Sequence, residues 1–220
     1  MTIENMSVAS VVAPSRTSAI IGALRHAILS GALPAGLALV EADLAQKFGT
    51  SKTPVREALK ALVGAGLVTL NDYRGATVTL VDEDLARNVF DVRYLLEPVA
   101  VERTVTNGFD VIKAEHALNV GAATIDEVHR SLANRDFHQI LYSGCGNSIL
   151  IETLDKLRDQ AALITVNAWS KRASWNSEAD EHRVILASAA SGDAAKTAAL
   201  VRKHIKHFGN LAVEQMKRDQ

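Results

Sequence analysis

Asn134 and His138 stand four residues apart in a stretch with helical periodicity, so both side chains leave the same helix face. His182 and His204 lie further along. Each is flanked by apolar residues that should face inward, Ile185 and Leu186 for the first, Leu200 and Ile205 for the second. Neutral imidazole is the commonest protein ligand for zinc, nickel and related ions. Facing helices of a bundle can bring such side chains to one ion in the core. The spacing leaves a second reading open, in which these are separate histidines satisfied by their own neighbours. Arg93 is divided in the same way. It can form a two-pronged bond with the carboxylate of a small acid, or pair with Glu97 four residues on. Tyr94 and Trp169 can wall a pocket or simply pack in a core. Arg130, one turn before Asn134, is a further cation for an anionic ligand.

A second constellation points to nucleic acid. Lys52, Arg56 and Lys60 recur every four residues, away from an apolar stripe of Val55, Ala58, Leu59 and Leu62. Thr53 is the expected helix cap, with Pro54 at the first helical position. A short amphipathic segment, Glu41 to Phe48, precedes this helix across the tight link Gly49-Thr50. Two short helices joined by a tight turn, the second basic, are the pattern of a helix-turn-helix. Gly64 and Gly66 end the second helix. Leu67 to Leu70 and Ala76 to Leu80 then read as two strands around a turn at residues 71–75. That hairpin is a wing, with Arg74 and Gly75 at its tip.

Residues 16–80 resemble the DNA-binding domain of the GntR family of bacterial transcription regulators. The resemblance rests on Leu24 and Ile28 with Ser30-Gly31-Ala32-Leu33-Pro34-Ala35-Gly36, on Leu44-Ala45, and on Ser51 to Leu59. It continues through Gly66-Leu67-Val68 and Arg74-Gly75-Ala76-Thr77-Val78. Ala42 stands where some relatives carry a DNA-contacting arginine, which moves the expected readout onto Lys52, Thr53 and Arg56. Residues 82–215 resemble the all-helical effector domain of the FadR-type members, the FCD domain, in its shorter VanR-like form. The marks are Arg93 to Pro98, Asn134 to His138, Gly146-Asn147, Glu181 to Ile185, Ser191-Gly192-Asp193 and His204. The resemblance implies a divalent metal, zinc or nickel, on Asn134, His138, His182 and His204. It also implies an arginine at Arg93 for a small carboxylate or sugar-acid effector. Asn in place of the usual Asp leaves such a site at the metal's full positive charge, which should weaken metal binding and strengthen the pull on an anion. A homodimeric regulator, more often a repressor, on a near-palindromic double-stranded DNA operator is the function this implies.

The rest of the chain must position these groups. Its 220 residues carry a formal charge of −1, so the chain is not globally basic. The first 80 residues carry seven Lys and Arg against five Asp and Glu, a weakly basic head on an acidic body. Cys145 is the sole cysteine, which excludes an intrachain disulfide and suits the cytosol. No apolar run is long enough to span a membrane, and the start lacks the pattern of a signal peptide. The expected class is mainly α: a mobile tail to residue 14, a winged helix-turn-helix over 15–80, and an antiparallel six-helix bundle over 81–220 for effector binding and dimerisation. In the first bundle helix Leu85, Val89, Val92, Leu95, Leu96, Val99 and Ala100 are expected inward. A metal-dependent enzyme fused to the head lacks a convincing general base, since Glu181 beside His182 should point elsewhere. A metal sensor without an organic effector is the other alternative.

Overall fold

The computed structural model describes residues 15–71, 75–169 and 175–217. Among them are nine helices and one two-stranded hairpin. The protein is mainly α, a winged helix-turn-helix followed by a six-helix bundle.

Helix α1 (Arg16–Leu29) starts where the Ser15 hydroxyl accepts the Ser18 N–H, and it buries Ile20, Leu24, Ile28 and Leu29. Helices α2 (Glu41–Lys47) and α3 (Lys52–Gly64) form the helix-turn-helix, and Gly49 makes the turn at φ 59°. Helix α3 buries Val55, Ala58, Leu59 and Leu62. Its start differs from expectation: Ser51 occupies the cap without a side-chain bond, and Thr53 and Pro54 lie inside the first turn. The first four N–H groups of a helix have no intrahelical partner, so proline is tolerated anywhere among them and does not mark the first residue.

Strands β1 (Val68–Asn71) and β2 (Gly75–Val78) pair antiparallel, Val68 opposite Val78 and Asn71 opposite Gly75. The Gly/Pro loop before α2 also joins this sheet. Ala38 bridges to Thr77, and the Leu39 N–H donates to the Ala76 carbonyl at 2.7 Å. Glycine and proline around that single bridge hide it from a reading of strand periodicity.

The bundle comprises α4 (Glu83–Asn107), α5 (Val111–Ala123), α6 (Glu127–Ser143), α7 (Ser148–Trp169), α8 (Trp175–Ala190) and α9 (Ala194–Lys217). Asp82, Asp110 and Asp126 cap α4, α5 and α6 by accepting backbone N–H bonds. Helix α4 packs along α9, and a Cβ on Gly209 would stand 2.9 Å from the Phe90 Cβ, so this crossing requires glycine. Leu95 and Val99, expected inward, are 56% and 39% exposed. The buried stripe runs instead through Val89, Phe90, Arg93, Glu97, Ala100 and Val101. A polar pair inside that stripe interrupts its apolar pattern, so a periodicity reading shifts to the next face. Helix α4 continues through Pro98, which has no N–H to offer the Tyr94 carbonyl. Arg202 Nη1 approaches that carbonyl at 3.5 Å in its place.

Helix α7 serves both cores. Ala162 and Leu163 pack with Leu24, Ile28, Leu62 and Leu67 of the head. Asp159 pairs with Arg25 of α1 at 3.1 Å. Gly66, at φ 71°, lies so close to Gln160 that a Cβ there would meet its side chain at 2.1 Å. No helix of the described residues is long and apolar enough to cross a membrane.

Candidate metal centre

Three buried histidines from three helices converge in the bundle: His138 of α6, His182 of α8 and His204 of α9. Their ligand nitrogens all lie within 4.8 Å of one another. The Nε2 atoms of His182 and His204 are 3.1 Å apart. Metal–nitrogen distances of about 2.0–2.1 Å place two ligands of one ion about 3 Å apart, so this spacing suits a shared cation. Asn134 lies one turn before His138. Its Nδ2 donates to Glu178 Oε1 at 3.3 Å, while its buried Oδ1 has no hydrogen-bond partner among the described residues. Buried polar atoms are ordinarily paired. An unpaired amide oxygen beside three imidazoles is a donor set that could hold a divalent ion.

A second tier of carboxylates orients two of the rings. Glu97 Oε1 lies 2.6 Å from His138 Nδ1, and Glu181 Oε2 lies 2.7 Å from His204 Nδ1. A carboxylate at Nδ1 holds the proton there and turns the Nε2 lone pair toward the centre. Glu181, expected to point away, thus backs His204 rather than its own neighbour His182. It also accepts from His207 at 2.7 Å. Hydrogen bonds from His204 and His207 hold the Glu181 carboxyl down at about 2. Burial alone would raise the Glu97 carboxyl, but the Arg93 guanidinium and the His138 ring hold it well below the usual range. Burial pushes His138 down to about 4 and His182 well below its ordinary value. Both are therefore neutral at pH 7, the form that can ligate.

The centre opens on a cavity lined by Arg93, Asn134, Arg135, His138, Arg158 and His204, among others, with space of about 20 Å³. That is room for about one water-sized occupant. Arg93 lies on the cavity wall, and its Nε donates to Glu97 Oε2 at 2.8 Å. Tyr94 faces away from the cavity, under the Arg202 guanidinium and beside a separate groove between α4 and α9. Arg130 is half-buried and donates from Nε to the Thr124 carbonyl at 2.8 Å, off the cavity wall. Trp169 ends α7, and its side chain lies outside the described residues.

Arg158 was not singled out from the sequence. It is 2% exposed, and none of its three guanidinium nitrogens has a hydrogen-bond partner among the described residues. Its Cζ stands 5.6 Å from the Tyr142 ring centre. Burial pushes its pKa down to about 10, which leaves it charged at pH 7. A legible signal existed: Leu154, Arg158, Ala161, Ala162 and Thr165 share one helical face, and a lone cation in an apolar stripe calls for a partner.

On the head, Lys52, Thr53, Arg56 and Lys60 are exposed along α3. Arg56 is held by Glu41 of α2 through two bonds, Nε to Oε1 at 2.9 Å and Nη2 to Oε2 at 2.7 Å. Lys60 pairs with Glu57 at 3.0 Å. Gly75 is exposed at φ 69°, and Arg74 lies outside the described residues.

Residues 16–78 match the model for bacterial regulatory proteins of the gntR family, and residues 88–207 match the FCD domain. The chain is 32% identical over 201 residues to the HTH-type transcriptional regulator BphR of Paraburkholderia xenovorans, covering 83% of this chain and 79% of that one. It is 26% identical over 178 residues to the HTH-type transcriptional repressor GlaR of Escherichia coli, covering 74% and 80%. Among solved structures, a GntR transcriptional regulator from Rhodococcus sp. RHA1 superposes with a TM-score of 0.81 at 22% identity, over 91% of this chain and 98% of that one. E. coli McbR/YncC gives 0.79 at 23%, with the same coverage. These two structures bear on the fold alone.

Proposed function

The chain belongs to the gntR family of bacterial regulatory proteins, a DNA-binding transcription regulator carrying an FCD domain, and from that premise we propose that a small organic acid bound beside a divalent metal sets its operator affinity. The observation that carries this reading is the meeting of His138, His182 and His204 around one buried point, next to the unpaired Oδ1 of Asn134. A zinc or nickel ion there would supply Lewis acidity and an open position for an oxygen ligand. The chain's own residues do the rest. Glu97 fixes the His138 ring and Glu181 the His204 ring, Arg93 holds Glu97 in place, and the guanidinium groups on the cavity wall favour an anion, a carboxylate or sugar acid.

Residues 15–80 bind the operator and residues 81–220 bind the effector and pair two chains, in the cytoplasm. Lys52, Thr53, Arg56 and Lys60 reach base edges and phosphates, and Arg74 and Gly75 approach the flanking backbone or minor groove. Repression relieved by the acid accords with the repressor named among the relatives. The coupling has a physical route. The cavity is too small for an acid as it stands, so binding must part its walls, and α7, on which the head is packed, forms one of them. Couplings of this kind are typically about 1–3 kcal/mol.

The test measures operator affinity, on DNA selected from a random pool, with metal-loaded and chelator-stripped protein across a panel of short hydroxy and sugar acids. A shift of about 5–150-fold with one acid, lost on stripping, is the expected result. The cavity's size favours one competing reading, a metal sensor with no organic effector. That reading predicts that metal alone switches DNA affinity and that every acid is silent.

A further inference from the structure

The cavity beside the histidines has three guanidinium groups whose situations differ. Arg93 already has its carboxylate, Glu97, at 2.8 Å within its own helix. Arg135, on the same wall, has Asp159 at 2.8 Å and Asp136 at 3.3 Å. Among the described residues the Arg158 guanidinium has no hydrogen-bond partner. It stands over the face of Tyr142, whose hydroxyl donates to Asp155 at 2.7 Å. Glu178, the other carboxylate on the cavity wall, accepts from Asn134. A buried guanidinium that lacks hydrogen bonds is costly to a fold, and the cost falls away when a planar oxyanion meets it two-pronged.

We propose that Arg158 is the anchor for the carboxylate of the ligand taken by this cavity, and that Arg93 is a positioning residue that acts on His138 through Glu97. The inference rests on the reading that the cavity binds an organic acid. It assigns the contact to a residue of α7, the helix that also carries Asp159, Ala162 and Leu163 against the head. The carboxylate is thereby bound on the element that reports to the DNA-binding half. The ligand class is a compact carboxylate, with the carboxylate directed at α7 rather than at α4.

The experiment titrates malonate, with the uncharged malonamide as control, into zinc-loaded protein freed of excess metal, and follows heat of binding and the melting midpoint. Wild type, Arg158→Met, Arg158→Lys and Arg93→Lys are compared. Malonate is expected to bind wild type and raise its midpoint, and malonamide to do neither. Arg158→Met, close in volume and uncharged, is expected to melt no lower than wild type without ligand and to weaken malonate binding about tenfold or more. Arg158→Lys keeps the charge, drops the planar fork and falls between the two, and it decides the matter if the Met variant does not fold. Arg93→Lys is expected to stay close to wild type in malonate affinity. Full malonate affinity in both Arg158 variants, or its loss in Arg93→Lys alone, overturns the assignment while leaving acid binding in place. Wild type unresponsive to malonate and to the acid panel overturns the acid reading itself, and this inference with it.

Discussion

A single side chain at the candidate metal centre carries several duties at once. His138 is desolvated, held at Nδ1 by Glu97 and aimed at His182 and His204. Its neutrality is a cost of burial that becomes useful, because only the uncharged ring offers a lone pair. The same burial has a consequence for stability. In the unfolded chain His138 and His182 take up protons from about pH 6.5 downward. In the fold His138 resists until about pH 4, and His182 also lies well below its ordinary value. The unfolded state therefore binds more protons across this window, and stability present above pH 6.5 is lost as the pH falls. By pH 5 the loss from His138 is on the order of 2 kcal/mol, and His182 contributes in the same direction. Metal-free protein is expected to melt at a clearly lower temperature at pH 5 than at pH 7. Equal midpoints would mean that these rings are hydrated rather than sealed. Arg56 shows a different economy. Free of DNA it is oriented by Glu41, and this hydrogen bond holds the Glu41 carboxyl below its usual value. Exposed pairs of this kind are weak, so a phosphate can replace the carboxylate. Arg56→Ala is expected to abolish operator binding with the circular-dichroism spectrum unchanged, and undiminished affinity would remove Arg56 from the interface.

At the level of elements, α7 is the member shared between halves. One face turns Arg158, Ala161, Ala162 and Thr165 to the cavity, and the adjoining face gives Asp159, Gln160 and Leu163 to the head. Asp159 is the junction. It is 3% exposed and bridges Arg135 of the cavity wall to Arg25 of α1. Removing its charge would leave two guanidinium groups sharing one uncharged amide, and because the Arg25 side chain is 33% exposed the cost falls below the about 3–5 kcal/mol of a fully buried pair. In Asp159→Asn the melting midpoint should fall, and the ratio of operator affinities with and without acid should shrink toward one. A lowered midpoint with an unchanged ratio would mean that the coupling runs elsewhere. Most elements were legible in the residues. Asp82, Asp110 and Asp126 announce three helix starts, and glycines at 49, 66 and 108 announce breaks. The inward face of α4 was not, because Arg93 and Glu97 are buried as a pair and a hydrophobic periodicity counts them as surface.

At the scale of the molecule, a basic head is packed on an acidic bundle through a small, partly charged contact. In the proposed dimer two heads would read DNA together, and twofold symmetry of the protein would then appear as inverted half-sites in the operator. Sedimentation should give twice the 23.6 kDa of one chain, and DNA selected from a random pool should contain two inverted copies of one short motif. A monomer protecting a single half-site would contradict both expectations.

The sequence by itself determined the order of the elements, the helix-turn-helix with its hairpin, and the family. Those follow from local spacing of apolar residues, caps and glycines, and from an ordered motif. It also singled out Asn134, His138, His182 and His204, though with no distances between them. Only the tertiary structure brought the ligand nitrogens of the three histidines within 4.8 Å, gave Glu97 and Glu181 to the Nδ1 atoms of His138 and His204, and kept Arg93 for Glu97. It also left Arg158 buried beside them without a hydrogen-bond partner among the described residues. Helix packing decides which side chains of distant segments share a cavity, and the energy of a buried charge depends on those neighbours rather than on its place in the chain.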